Sequence, residues 1–206
     1  MALARGIEKR AQLKEQIIRG AVDALVETGL SAVTTRKIAE KAGVNLATLH
    51  YYFENKDALL IGALEMIIAQ MSQALSADLT QQLDIKTCIE NVISNSWRLI
   101  LQTRDIQILQ YELTLYTMRN KEAQSLSKFQ YDSYCKVYEI AFRQGLGSAD
   151  ESSLIDLGDL ARFVVAGMDG LILQYLVDPD EERSARGLKQ LIRASQSLVL
   201  PNSVGG

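Results

Sequence analysis

One histidine, two cysteines and two prolines in 206 residues set the first limits. With His50 alone, no zinc site can be built on two or three imidazoles, and a Ser-His-Asp or Cys-His pair would have to use that one ring. Cys88 and Cys135 make neither a metal-ligand spacing nor a disulfide framework, so a reducing, cytoplasmic setting is expected. The C-x-x-C, H-E-x-x-H, G-x-G-x-x-G and G-x-x-x-x-G-K-[ST] patterns are absent. The chain therefore reads as a non-enzyme with no metal and no cofactor. Few prolines and only 13 glycines favour long helices and argue against an all-β fold, which needs frequent turns. No run reaches the ~20 apolar residues of a membrane span, and no apolar segment of secretory type follows the charged start. No membrane partner is expected.

The composition is that of an ordinary globular chain, 48% hydrophobic and 23% charged, long enough for one or two domains. Charge is unevenly placed. Residues 1–56 carry nine Lys/Arg against six acids, whereas residues 57–206 carry thirteen against nineteen. A basic head on an acidic body suits a protein that presents one end to a polyanion, although a chance imbalance on a solvated surface gives the same count.

Apolar spacing and breakers predict nine helices and an all-α fold. The first covers 9–27 and stops at Gly29. Thr34 can cap a short helix over 35–42, closed by Gly43, and Asn45 can cap a second over 46–52. Asn55 can cap a long helix over 56–79. Further helices are expected over 84–103, 105–118 and 122–144. Ser148-x-x-Glu151 reads as a capping box for a helix to 176. Asp178, with Pro179 in the first turn and Glu181 completing the box, opens the last, which runs to 200. Residues 1–55 are taken as a helix-turn-helix domain, 56–200 as an effector-binding and dimerisation domain, and 201–206 as a disordered tail.

The informative stretch is VTTRKIAEKAGVNLATLHYYFENKDALL, residues 33–60. Ile38, Ala39, Val44, Leu49 and Phe53 supply a buried face, Ala39 and Ala42 are small where helices cross, and Gly43 can take the positive φ of a sharp turn. The outward residues of the second short helix, Leu46, Ala47, Thr48, His50, Tyr51 and Tyr52, are almost uncharged, which is odd for a simply solvated face. Major-groove reading accounts for them. Thr and His can bond base edges, Ala or Leu can touch a thymine methyl, and Tyr hydroxyls can reach phosphate. Arg36 could bond guanine, while Thr35 and Lys37 lie near a helix N-terminus that favours phosphate, and Lys56 adds charge at the next. A structural αα-hairpin with Tyr51 or Tyr52 turned inward is the plainer alternative.

Residues 9–60, with the run T-T-R-K-I-A-x-K-x-G-V-x-x-x-T-L-x-x-x-F-x-N-K-x-A-L-L, resemble the DNA-binding domain of the TetR family of bacterial one-component repressors. The resemblance implies three N-terminal helices followed by a six-helix effector domain that also dimerises. It implies DNA contacts at Thr35, Arg36, Asn45, Leu46, Thr48, His50, Tyr51, Tyr52 and Lys56. One position departs from the family pattern: His50 stands where Tyr is common. That puts the phosphate contact of such a Tyr in doubt, and an imidazole there could make operator binding pH-sensitive.

Beyond the head, Leu154, Leu157, Ala161, Val164, Met168, Leu171 and Tyr175 follow one another at steps of three and four, a heptad seam. Ala185, Leu188, Ile192, Ser195 and Val199 are similarly spaced. Such helices from two chains can form a four-helix bundle, and an intramolecular core seam has the same period. The resemblance favours a homodimer interface on Leu157, Ala161, Val164, Met168, Leu171, Tyr175, Leu188 and Ile192. A two-fold dimer would read a palindromic operator of double-stranded DNA, with half-sites ~34–36 Å apart. An effector pocket is expected among Asn91, Asn95, Trp97, Tyr111, Met118, Tyr131, Tyr134 and Phe142, suited to a small, largely apolar or aromatic ligand. The function expected is a ligand-responsive repressor. Against it stand a helical enzyme with His50 as base, for which no partner group is in evidence nearby, and an all-α interaction module without DNA binding.

Overall fold

The computed structural model describes residues 2–77, 84–119, 124–146 and 156–199, and every regular element among them is an α-helix. In chain order these are α1 (Ala2–Thr28), α2 (Thr35–Lys41), α3 (Leu46–Tyr52), α4 (Lys56–Ala77), α5 (Ile85–Gln102), α6 (Arg104–Arg119), α7 (Gln124–Leu146), α8 (Leu157–Val177) and α9 (Glu181–Leu198). Nine helices among the described residues match the number expected.

Side-chain oxygens start most of them. Thr34 accepts the Lys37 N–H at 3.2 Å, Asn45 that of Thr48 at 2.7 Å and Asn55 that of Ala58 at 2.8 Å. Each satisfies an amide that the first helical turn leaves without a backbone partner. Asp84 does the same for α5, at 3.0 and 3.2 Å from the amides of Lys86 and Thr87. Gly29 ends α1 at φ 74° and Gly43 makes the α2–α3 turn at φ 64°, the two positive-φ glycines among the described residues.

Three boundaries differ from expectation. Helix α1 begins at Ala2. The stretch before Lys9 lacks a capping signal but is rich in Ala, Leu, Arg and Glu, which propagate a helix without one. Helix α8 begins at Leu157, where Asp156 accepts the Gly158 N–H at 2.7 Å. The box expected at Ser148 and Glu151, and the seam residue Leu154, lie outside the described residues, as does the tail 201–206. Helix α9 is capped by Asp180, which accepts the Arg183 N–H at 2.8 Å. Asp178 instead closes α8, its own N–H bonded to Gln174 O at 3.0 Å.

The chain divides into two compact units, one made of Met1–Ala69 with Ile108–Gln130, the other of Gln70–Gln107 with Tyr131–Gly206. In the first, Ile17, Ala21, Leu25, Ile38, Leu49, Leu59, Leu60, Leu64 and Leu113 form a closed core. In the second, Ile89, Ile93, Phe142, Leu160, Ala161 and Val164 are fully buried. The segments Lys56–Leu75 and Leu157–Val177 are long and apolar enough to cross a membrane by length and composition, which corrects the expectation that no segment would be. Each buries apolar residues in the packed units: Leu59, Leu60, Ala63 and Leu64 in one, Leu160, Val164 and Val165 in the other.

Candidate nucleic-acid interface

Helices α2 and α3 are each seven residues long. Isolated helices of that length are marginal in water, so tertiary contacts must hold them. Ile38 and Ala39 of α2, Leu49 of α3 and Phe53 just after it are buried, and each fully buried leucine or isoleucine contributes ~1.5–3 kcal/mol. Helix α1 supplies the surface they pack on. Its Gly20 lies so close to α2 that an added Cβ would fall 2.5 Å from the Ala42 nitrogen. Its Gln16 amide donates to the Ala42 carbonyl at 2.7 Å, occupying an acceptor at the end of α2. Neither residue was singled out from sequence; a glycine in mid-helix, on a face that is otherwise apolar, was the available sign.

The face left outward on α3 is Ala47, His50 and Tyr51, all exposed, flanked by half-buried Leu46, Thr48 and Tyr52. Tyr51 is 66% exposed, a large apolar ring in water. Its edge meets the Tyr52 ring, centroids 5.2 Å apart and planes at 84°. His50 is exposed, so neither it nor Tyr51 is a core residue. Asn45 is exposed although its carbonyl oxygen is engaged as the cap. On α2, Arg36 is exposed and has no hydrogen-bond or ion-pair partner among the described residues, while Thr35 is half-buried.

Two expected phosphate ligands are occupied within the chain. Lys37 lies 3.3 Å from Glu27, which also pairs with Lys41. Hydrogen bonds from the two ammonium groups, Lys41 foremost, hold the Glu27 carboxyl below its ordinary range and raise that of Lys41. Lys56 is the other. Its ammonium donates to the carbonyls of Leu30 at 3.2 Å and Val33 at 3.4 Å. The turn between α1 and α2 leaves those carbonyls without helical partners, and a lysine within reach satisfies them before any phosphate arrives. Glu112 of α6 completes this clasp by accepting the Leu30 N–H at 2.8 Å.

The residues expected to line an effector pocket differ in burial. Trp97, Tyr134 and Phe142 are buried. Trp97 meets Tyr175 edge to face at 5.7 Å, and Tyr134 meets Tyr131 at 5.9 Å. Asn91 is exposed and Met118 is 65% exposed, while Asn95 accepts from Arg98 at 3.1 Å on the surface. Tyr111 and Met118 belong to the first compact unit and the other six to the second. Tyr138, beside Phe142 in the same row, is buried, and desolvation pushes its hydroxyl up to about 12 against the opposing effect of a hydrogen bond shared with Ser96.

The heptad seam is also corrected. Leu157, Ala161, Val164, Met168 and Ile192 are buried within a single chain and have no surface to offer a second one. Leu171, Tyr175 and Leu188 are half-buried. The exposed apolar side chains of α8 are instead Phe163, Leu173 and Val177, with Ala166 and Gly170 between them. Periodicity shows that a helix has an apolar stripe, and this helix has two.

Residues 17–63 match the model of the bacterial regulatory proteins, tetR family. The nicotine-responsive transcriptional repressor HdnoR of Paenarthrobacter nicotinovorans is 26% identical over 82% of this chain and 87% of its own. The class A tetracycline repressor of transposon 1721 from Escherichia coli is 44% identical over 54 residues, 26% of this chain and 25% of its own. Among solved structures, FadR of Bacillus subtilis in complex with stearoyl-CoA superposes with a TM-score of 0.69 at 21% identity, covering 90% of this chain and 98% of that one. Residues 17–63 are thus a helix-turn-helix segment of the tetR type, and over most of its length the chain is similar to a transcriptional repressor.

Proposed function

We propose that the protein is a cytoplasmic, ligand-responsive repressor that binds a palindromic operator as a homodimer. The observation that carries this is the outward face of α3, where His50 and Tyr51 stand exposed on a helix anchored by Leu49 and capped by Asn45. Residues 1–55 read DNA, and residues 56–200 bind the effector and dimerise. Thr48, His50, Tyr51 and Tyr52 meet the major groove, Thr35 and Arg36 approach from the start of α2, and Leu46 offers an apolar contact. Lys37 reaches a phosphate by exchanging Glu27 for it, and Asn45 contributes through its free amide N–H groups.

A seven-residue helix touches few bases, so a two-fold partner is needed for a useful site. The outward stripe Phe163, Ala166, Gly170, Leu173 and Val177, at steps of three and four, supports α8 as the surface the partner covers. The effector is small and largely apolar or aromatic. Support comes from the buried rings of Trp97, Tyr134 and Phe142, with the Tyr138 hydroxyl as a polar anchor. Among similar proteins, one is named as nicotine-responsive and one was solved with stearoyl-CoA, whose acyl chain is apolar. The ligand acts by population shift: it binds the conformation that does not fit DNA better than the one that does, and moves the equilibrium only by that difference. Helix α4, which supplies residues to both compact units, carries the change.

The test is a gel-shift and footprinting series with the DNA flanking the protein's own gene, alongside equilibrium sedimentation. A protected palindrome and a dimer at micromolar concentration are expected. No retardation of any duplex at low salt, or a monomer throughout, overturns the proposal. Arg36→Ala is expected to relax specificity at one base pair by ~1–3 kcal/mol; a uniform loss over all sequences would assign Arg36 to phosphate only.

A further inference from the structure

Helix α1 is longer than its packing explains. Its first residue buried against the head is Ile17, yet the helix reaches back to Ala2. Residues 5–12 are all exposed, Ile7 at 64%. Residues 5–12 therefore hide no apolar surface, and burial does not account for them. Its pattern is nonetheless ordered. Ile7, Arg10, Lys14, Ile17 and Ala21 follow at steps of three and four, so the stripe that enters the core at Ile17 continues outward through Lys14 and Arg10. That stripe runs over α3 and its exit. The Arg10 guanidinium lies 5.6 Å from the centre of the Tyr51 ring and donates a hydrogen bond to the Tyr51 hydroxyl. Lys14 sits 5.8 Å from the centre of the Phe53 ring.

Both partners of the Arg10–Tyr51 contact are exposed. A solvated pair of this kind adds little to stability, because water competes for it and two side chains lose rotamer freedom. Its chemistry points elsewhere. A phenol has one proton to donate and lone pairs to accept with. When the hydroxyl accepts from Arg10, its own proton is left to point away from the helix and is polarised as a donor. The guanidinium has further N–H groups beyond the one it donates to Tyr51, a fork that suits a phosphate oxygen pair. We propose that Arg10 is a positioning and phosphate-binding residue of the reading head: it fixes Tyr51 at the edge of α3, and the two side chains together grip one backbone phosphate. This rests on the DNA-binding role of α3 proposed above.

The experiment titrates full-length protein against a fluorescent duplex from the region upstream of its own gene, over salt from about 50 to 200 mM. Arg10→Ala is expected to weaken binding about tenfold and to lower the slope of log K against log salt by about 0.9, one phosphate's worth. Tyr51→Phe is expected to weaken binding by a similar factor, and the double variant to be no weaker than the worse single one. Arg10→Lys should keep the salt slope and lose the coupling to Tyr51, a pattern that a merely structural role would not give. Both positions are exposed, and unchanged thermal unfolding of each variant checks that the fold is intact. Wild-type affinity and slope in Arg10→Ala, or losses that simply multiply in the double variant, would overturn this inference alone. Failure of the wild-type protein to bind any duplex would overturn it together with the reading of α3.

Discussion

Two groups of rings, one in each compact unit, differ sharply in burial. In the first, His50 and Tyr51 stand in solvent and the core is built from aliphatic side chains around Phe53. In the second, Trp97, Tyr134, Tyr138 and Phe142 are buried. Rings inside a core supply area and dispersion contacts, and their loss is felt as stability. Rings kept in water supply none of that, so their presence has to be explained by what they touch when a partner arrives. The same residue type thus builds a core in one unit and, on the proposed reading of α3, serves recognition in the other.

The sharpest way to break this contrast is to remove one ring from each side. Phe142 is fully buried, and Phe142→Ala is expected to destabilise the protein by ~3–5 kcal/mol in urea unfolding. Tyr51→Ala should change stability by no more than ~0.5 kcal/mol while reducing DNA affinity. Equal stability losses in the two variants would end the distinction.

A second test uses protonation. The Tyr138 hydroxyl is pushed up to about 12 by burial. The unfolded chain releases that proton near pH 10, while the native state holds it. The stabilisation is therefore complete below pH 10 and disappears as pH rises through about 12, a loss of about 2–3 kcal/mol. Cys88, raised to about 11 by burial, begins the decline earlier. Tyr138→Phe should flatten the upper part of the alkaline limb and leave the Cys88 part in place; an unaltered pH profile would show that the hydroxyl is hydrated.

The third concerns the small residues of the head. Gly20→Ala places a methyl 2.5 Å from backbone atoms of Ala42, which cannot move as a side-chain tip could. A cost of ~1–3 kcal/mol and weaker DNA binding are expected. Gly6, with nothing within 4 Å of its would-be Cβ, is the control: Gly6→Ala should stabilise by up to ~0.5–1 kcal/mol. If both variants behave alike, the α1–α2 crossing is looser than its geometry.

The head was legible in sequence because its signals are local. Thr34, Asn45 and Asn55 each cap within three residues of themselves, and Gly43 makes its turn alone, so α3 is recovered to the residue. The nine-helix count followed from breakers and apolar spacing in the same way. What was not legible depends on distant partners. The Lys56 ammonium meets Leu30 and Val33, and Glu112 meets the Leu30 amide 82 residues away, with no pattern in the chain to pair them. Asp178 and Asp180 flank one proline, and only the end of α8 decides which of them opens α9. Most of the α8 seam is buried within the chain's own fold, which the period alone could not show, since it cannot tell a chain's own core from that of a twin.

The smallest effect separates stability from recognition within the head itself. Glu27 holds Lys37 and Lys41, and its carboxyl lies below the ordinary range because of them, Lys41 first. A lowered carboxyl contributes stability that is present above its unfolded value and lost as pH falls through the folded one. The site is solvent-exposed, so salt screens it. Glu27→Gln should therefore lower Tm slightly at neutral pH and low salt, with the difference closing on acidification below the carboxylate range. DNA binding should move the other way. Freed from Glu27, Lys37 can face phosphate, and affinity at low salt should rise while the salt slope steepens. A variant that loses stability and affinity together would mean that the carboxylate places Lys37 for DNA instead of competing for it.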